Sequence, residues 1–263
     1  MNRIGVVCHF HSERHALPGF IEAAEQMFDE IILVSSPMDG TPPDPGTIKI
    51  AEASGHKLIY DTLNQGFGAL RTRCIGYSSC EWVMIADADE RLWPSAPELS
   101  CTGFEKFPHT LTPDLKVTRK EKVIIDQREG MRNLTYHADA ENALAICLSR
   151  RHWFGAPDEW DRPCQNWTPG VGEPDWQLRL VKNSPYLCYD PEVKMHERLL
   201  FTPHWSEPKF VRVSDGSLFI DHYSWHYKNL EPAQNVEDAE IYEALAPGSV
   251  KDMWLNHYLK TSA

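Results

Sequence analysis

No stretch of the 263-residue chain approaches the ~20 consecutive apolar residues of a membrane-spanning helix. Basic residues are also scarce: 26 Lys and Arg face 38 Asp and Glu, for a formal net charge of -12. That balance repels phosphate backbones and disfavours nucleic acid as a partner. The seven cysteines (Cys8, Cys74, Cys80, Cys101, Cys147, Cys164 and Cys188) are scattered, odd in number and form no CxxC pair. This argues against a disulfide framework and for free thiols in a reducing compartment. Residues Met1 to Val7 run straight into a strand-like segment, without the long apolar stretch and small-residue cleavage site of a signal peptide. The expected location is therefore the cytosol, with peripheral contact to a membrane left open. In that compartment Asn133-Leu134-Thr135 and Asn166-Trp167-Thr168 are chance matches to the glycosylation pattern. Repeats, low-complexity tracts and clear linkers are missing too, so length and a 42% hydrophobic content favour one large α/β domain.

What is present is an alternation of strand and helix signals. Ile4 to Cys8 and Ile31 to Val34 are short apolar runs without polar alternation, as strands covered on both faces require. Between them Pro18 suits a first helical turn, and Phe20, Ile21, Ala24, Met27 and Phe28 recur at helical spacing. A short helix is predicted over 47–54, a strand over 57–60, a helix over 69–79 and a strand over 82–86, which delivers Asp87. Alternating units of this kind imply a mainly parallel sheet with right-handed crossovers and ligands at the carboxyl ends of the strands. His9, Ser35, Asn64 and Asp87 fall there. Beyond Pro94 the pattern weakens; prolines interrupt it, and Val123-Ile124-Ile125 reads as a short strand in a charge-rich stretch. Residues 94–263 are expected to elaborate the same domain.

Asp87-Ala88-Asp89-Glu90 crowds three carboxylates into one turn at the end of a buried strand, where they repel one another unless compensated. A divalent cation with a preference for hard oxygen ligands, Mg2+ or Mn2+, would relieve the repulsion and take its other ligands from phosphate and water. An acidic turn exposed to solvent is the plain alternative.

Asn64-Gln65-Gly66-Phe67-Gly68-Ala69-Leu70-Arg71, followed by Glu81-Trp82-Val83-Met84-Ile85-Ala86-Asp87-Ala88-Asp89-Glu90, resembles glycosyltransferase family 2. Two later segments, Pro174 to Lys182 around Leu178-Arg179-Leu180 and Val193-Lys194-Met195-His196-Glu197, are similar to elements that follow in that family in the same order. The resemblance implies a GT-A fold, α/β and Rossmann-like. Residues 1–93 would form the nucleotide-sugar half and residues 94–263 the acceptor half. It implies an NDP-sugar donor, UDP-sugar by family habit, and a usually inverting transfer with Mn2+ or Mg2+. Asp89 would be the principal metal ligand, Asp87 would face the metal or the ribose, and His196 would complete the metal site, with His222 in Asp221-His222-Tyr223-Ser224 as a second candidate. Arg71 and Arg179 could supplement the metal, although Arg179 could instead pair with Asp175 or Glu173. Asp175 is the candidate general base, with Glu173 and Glu197 as rivals. Glu13, Ser35, Asp39, Asn64 and Gly68 complete the expected donor site. Ser35 departs from the family, which often carries an Asp at that position. The acceptor, whether glycan, lipid, protein or nucleobase, is not legible.

Two other readings use the same residues. His9-x-His11, with further histidines available, could mark a zinc hydrolase. Nine tryptophans could equally serve a non-catalytic domain that binds a sugar nucleotide or glycan.

Overall fold

The computed structural model describes residues 2–38, 41–94, 122–152, 175–193, 198–213 and 218–223. β1 (Ile4–Phe10) is buried throughout, and its side chains divide between two cores. Val6, Cys8 and Phe10 pack with Leu17, Phe20, Ile21 and Ala24 of α1 (Leu17–Met27). Val7 on the opposite face packs with Leu70, Cys74 and Ile75 of α3 (Phe67–Tyr77). A period of two, with both faces covered, is thus what makes this strand read as an uninterrupted apolar run.

β2 (Glu30–Ser35) and β3 (Lys57–Tyr60) lie beyond β1, and β4 (Trp82–Asp87) lies on its other side, all in parallel. α2 (Pro45–Ala53) begins two residues before the predicted helix. Asp44 accounts for this, because its carboxylate caps the helix by accepting from the Thr47 backbone N–H at 2.7 Å while Pro45 supplies the first-turn backbone. α3 also starts two residues early, directly after Gly66, whose φ of 89° turns the chain into the helix.

The remaining elements are β5 (Glu90–Pro94), α4 (Lys122–Ala140), β6 (Ala145–His152), β7 (Asp175–Lys182), β8 (Leu187–Tyr189), β9 (Leu199–Phe201), β10 (Phe210–Arg212) and β11 (Leu218–His222). The strand expected at Val123-Ile124-Ile125 is instead the start of α4. Three β-branched residues are a strand signal only locally; further along, Met131, Leu134 and Ala138 face the first core at helical spacing and fix the segment as a helix.

The large sheet runs β3-β2-β1-β4-β7-β6-β11-β5, with β10 also beside β6, and β8 pairs with β9 in a separate ribbon. Its pairings are parallel from β3 to β4 and at β6–β10 and β6–β11. They are antiparallel where β7 meets β4 and β6 and where β5 meets β11. The mainly parallel α/β class expected from the sequence is therefore the one found. β5 starts three residues after β4 ends, a span of at most ~11 Å, yet β7, β6 and β11 stand between them in the strand order. The sheet must curl for both statements to hold. Its later strands wrap around the turn from Asp87 to Glu90. Among the described residues no helix is long and apolar enough to cross a membrane.

Candidate active site at the carboxyl edge of the sheet

The face of β1 and β4 that carries Val7 and Ile85 next presents His9 and Asp87, which are register partners. The apolar stripe ends in two polar side chains at the strands' carboxyl ends. His9 Nε2 is 2.8 Å from Asp87 Oδ1. α3 packs over this face, and Arg71 Nη2 donates to Asp87 Oδ1 at 2.8 Å and Oδ2 at 3.1 Å. Arg71 Nε is also 3.2 Å from His9 Nε2. One nitrogen cannot both accept from the guanidinium and donate to the carboxylate. We assign its proton to the bond with Asp87, the ionised and therefore stronger acceptor.

Arg179 reaches the same carboxylate from β7, donating through Nη2 to Asp87 Oδ2 at 2.9 Å and to Glu90 Oε1 at 3.3 Å. A bulge puts it there. Leu180 is paired with Ile146, but the next pair is Leu178 with Cys147, which leaves Arg179 as the extra residue of β7. The side-chain phase changes at that point, so that Leu180 packs in the first core while Leu178 packs against the second. Asp87 and Glu90 are thus partners of Arg179; of the partners expected from the sequence, Glu173 and the side chain of Asp175 lie outside the described ones. Burial alone would push the Asp87 carboxyl up, but Arg179, Arg71 and His9 outweigh it and hold the group well below the usual carboxylate range.

The three acidic residues of the turn have separate surroundings. Glu90 is buried, accepting from the Asp87 backbone N–H at 3.1 Å and from Arg150 Nη1 at 3.4 Å as well as from Arg179. Asp89 is about one-fifth exposed, and its Oδ2 lies 3.4 Å from His222 Nε2. The Tyr223 backbone N–H donates to Asp89 O at 2.9 Å, fixing the end of β11 against the turn. The crowding read from the sequence is consequently relieved by arginines at two of the three carboxylates. The third, Asp89, is partly exposed and has an imidazole beside it.

Other expected residues are placed as follows. Glu13 folds back on its own loop, where Oε2 accepts from the His11 and Ser12 backbone N–H groups at 2.6 and 2.9 Å. Ser35 is fully buried, and its Oγ has no hydrogen-bond partner among the described residues. Asn64 lies in the loop before α3, its backbone N–H donating to Thr62 Oγ1 at 3.3 Å. Gly68 has a packing reason: a Cβ there would stand 2.8 Å from Asp190 O and 3.1 Å from Val193 O, so the glycine admits residues 190–193 against α3. Asp39, Glu173, His196 and Glu197 lie outside the described residues. Asp175 opens β7 opposite Arg150, at the same edge as Asp87, with its side chain outside the described ones. No role at this edge was assigned from the sequence to Arg150 or to the buried Arg91. Arg150 reaches Glu90 from β6, 60 residues away, and Arg91 reaches Ala16, 75 residues away.

Among the described residues no three His, Cys, Asp or Glu side chains are arranged to hold a metal by themselves. Asp89 and His222 nevertheless offer a hard oxygen and an imidazole nitrogen side by side. That suits an ion that takes its remaining ligands from a bound phosphate and water. Asp87 fits less well as a direct ligand, because its oxygens already accept from Arg71, Arg179 and His9.

The sequence matches no family model and no curated protein. Several solved structures are distantly similar to this chain. S. aureus TarS 1-349 in complex with UDP is 12% identical over 97% of this chain and 68% of that one, with a TM-score of 0.48. The chain spans only 41% of the longer S. aureus TarS structure, at 12% identity and a TM-score of 0.49. A mannosyltransferase from Pyrobaculum calidifontis in complex with GDP-Man and Mn2+ is 15% identical over 57% of this chain and 36% of that one, with a TM-score of 0.37. Likenesses this distant do not decide an activity. The chemistry of the edge has to do so.

Proposed function

We propose that this chain is a metal-dependent glycosyltransferase that transfers a sugar from a nucleotide-diphospho-sugar to an acceptor hydroxyl, with inversion. One observation carries the reading. Arg71 from a helix and Arg179 from a strand bulge converge on a single partly exposed carboxylate at the carboxyl edge of a parallel α/β sheet. Two guanidiniums fixed in advance are suited to a diphosphate leaving group, whose developing charge they stabilise without reorganising. Asp87 holds them in place, and His9 in turn orients Asp87.

Asp89 and His222 are assigned as the protein ligands of Mn2+ or Mg2+, with His196 as the alternative imidazole. When bound, such an ion supplies Lewis-acid stabilisation of the departing diphosphate. Asp175, at the same edge, is assigned as the base that takes the acceptor's proton. Ser35, Asp39, Asn64 and Glu13 are assigned to the nucleoside side, with UDP as the first choice of nucleotide, and residues 94–263 to the acceptor side. The protein is placed in the cytosol.

Calorimetric titration of UDP, GDP and CMP with Mn2+ tests the class, and failure of all three to bind overturns it. With the accepted donor, Asp175→Asn is expected to leave nucleotide affinity unchanged while turnover falls ~10^2 to 10^4-fold, the range of a lost proton transfer. Wild-type turnover in that variant would move the base role to Glu173 or Glu197.

A further inference from the structure

Arg91 stands directly after the acidic turn and is almost completely buried, an uncommon place for a guanidinium unless its donors are satisfied. Nη1 donates to Ala88 O at 2.7 Å and to Glu90 O at 2.8 Å. Nη2 donates to Ala16 O, 75 residues away in sequence, at 2.9 Å. The guanidinium also lies 5.8 Å from the ring centroid of Phe20 in α1. Ala88 is the residue between Asp87 and Asp89, and Ala16 is the residue from which α1 starts. The loop just before it carries Glu13, whose carboxylate organises the backbone at His11 and Ser12.

We propose that Arg91 is a positioning residue that locks the Asp87–Glu90 turn to the loop between β1 and α1, so that metal ligand and nucleoside contacts are set in one geometry. This rests on the glycosyltransferase reading. A planar group with five donors can hold carbonyls of two separate segments at once, which a lysine ammonium on a flexible stem does less well. The guanidinium is buried and donates to three backbone carbonyls, so Arg91 acts through the turn.

The test compares wild type, Arg91→Lys, Arg91→Met and Phe20→Leu, the last keeping the guanidinium while removing the ring beside it. UDP binding is titrated against Mn2+, and amide hydrogen exchange is followed over 13–20 and 87–91. In Arg91→Met the Mn2+ concentration for half-maximal UDP binding is expected to rise at least ~10-fold, and exchange to rise in both segments together. Arg91→Lys should recover part of each effect and Phe20→Leu should show a weaker form of both. Folded variants with wild-type Mn2+ dependence overturn the positioning role alone, and so does faster exchange confined to 87–91. Should Arg91→Met fail to fold, Arg91→Lys and Phe20→Leu decide by the same criteria. A wild-type protein that binds no nucleotide with Mn2+ overturns the reading of the whole site, and the positioning role falls with it.

Discussion

α3 carries two arginines, Arg71 and Arg73, and each is paired with an aspartate, but the two pairs are built differently. Two residues on a helix are ~200° apart, so the side chains leave opposite sides. Arg73 turns to the loop after β3, where Nε and Nη2 hold Asp61 at 2.8 and 3.0 Å and Nη2 also donates to Thr62 O. Asp61 further accepts from Tyr77 Oη at 2.6 Å and from the Thr62 backbone N–H at 2.7 Å. Every group in that cluster belongs to α3 or the loop leading into it. Arg71 turns inward to Asp87, which it shares with His9 of β1 and Arg179 of β7. Asp61 serves one local segment. Asp87 gathers two guanidiniums and an imidazole from three elements and remains a quarter exposed. A local, saturated pair braces a loop, whereas a convergent one open to solvent can present its guanidiniums to a ligand while the carboxylate holds them in place.

The largest expected effect lies in the turn itself. Asp89→Ala should lower transfer or donor hydrolysis by at least ~10^3-fold, because it removes the carboxylate assigned to the metal that stabilises the leaving group. Its circular dichroism and thermal midpoint should stay near wild type, since the side chain is partly exposed. Full activity of this variant in excess chelator would break the comparison at its functional end. Asp87 to Glu90 would then be a structural turn like the loop after β3.

The arginine pair sharpens the comparison next. Arg71→Met should weaken Mn2+-dependent nucleotide binding ~10 to 100-fold, and Arg73→Met less than ~3-fold. Both should cost stability. Removing one partner of a buried pair costs ~3–5 kcal/mol, but Asp87 keeps Arg179 and His9, so ~1–3 kcal/mol is expected for Arg71→Met. Arg73 is about one-third exposed and its loss should cost ~1–2 kcal/mol. Equal effects of the two substitutions on nucleotide affinity, by calorimetry, would remove the distinction between them.

Much of this was legible in the sequence. Short apolar runs and helical spacing placed β1 to β4 and α1 to α3 nearly correctly, and β1, β2 and β4 declare their burial through their own residues. Asp87 and the carboxyl-edge location followed from the order of those elements, and Arg71 from the resemblance to glycosyltransferase family 2. Arg179's partners did not, because they depend on a one-residue bulge between β6 and β7 that no composition signal marks. Nor did the proximity of His222 to Asp89, which depends on β11 pairing with β5 across more than a hundred residues. The misread strand at Val123 to Ile125 failed for a related reason. Three β-branched residues speak for themselves, but the helix they open is decided by contacts made by Met131 and Ala138.

The smallest expected effect is at Tyr77, on the local side of the comparison. Burial, and then the Asp61 carboxylate that accepts its proton, push the Tyr77 phenol up to about 12. A folded-state value above the unfolded ~10 means that the bond's stabilisation is complete below pH ~10 and is lost as pH rises through about 12. Tyr77→Phe should therefore cost ~1 kcal/mol in urea titration at neutral pH. That is less than the ~1.5–3 kcal/mol of an isolated bond to a charged group, because Asp61 keeps Arg73 and the Thr62 N–H. Above pH ~10 the two proteins should converge in stability, and the phenolate absorbance lost in the variant should be the part that titrates near pH 12. Nucleotide affinity should not move, since nothing in the Asp61 cluster reaches Asp87. A Tyr77→Phe protein with intact stability but weakened UDP binding would show that the Asp61 cluster sets the position of Asn64 for the nucleoside and is more than a brace for α3.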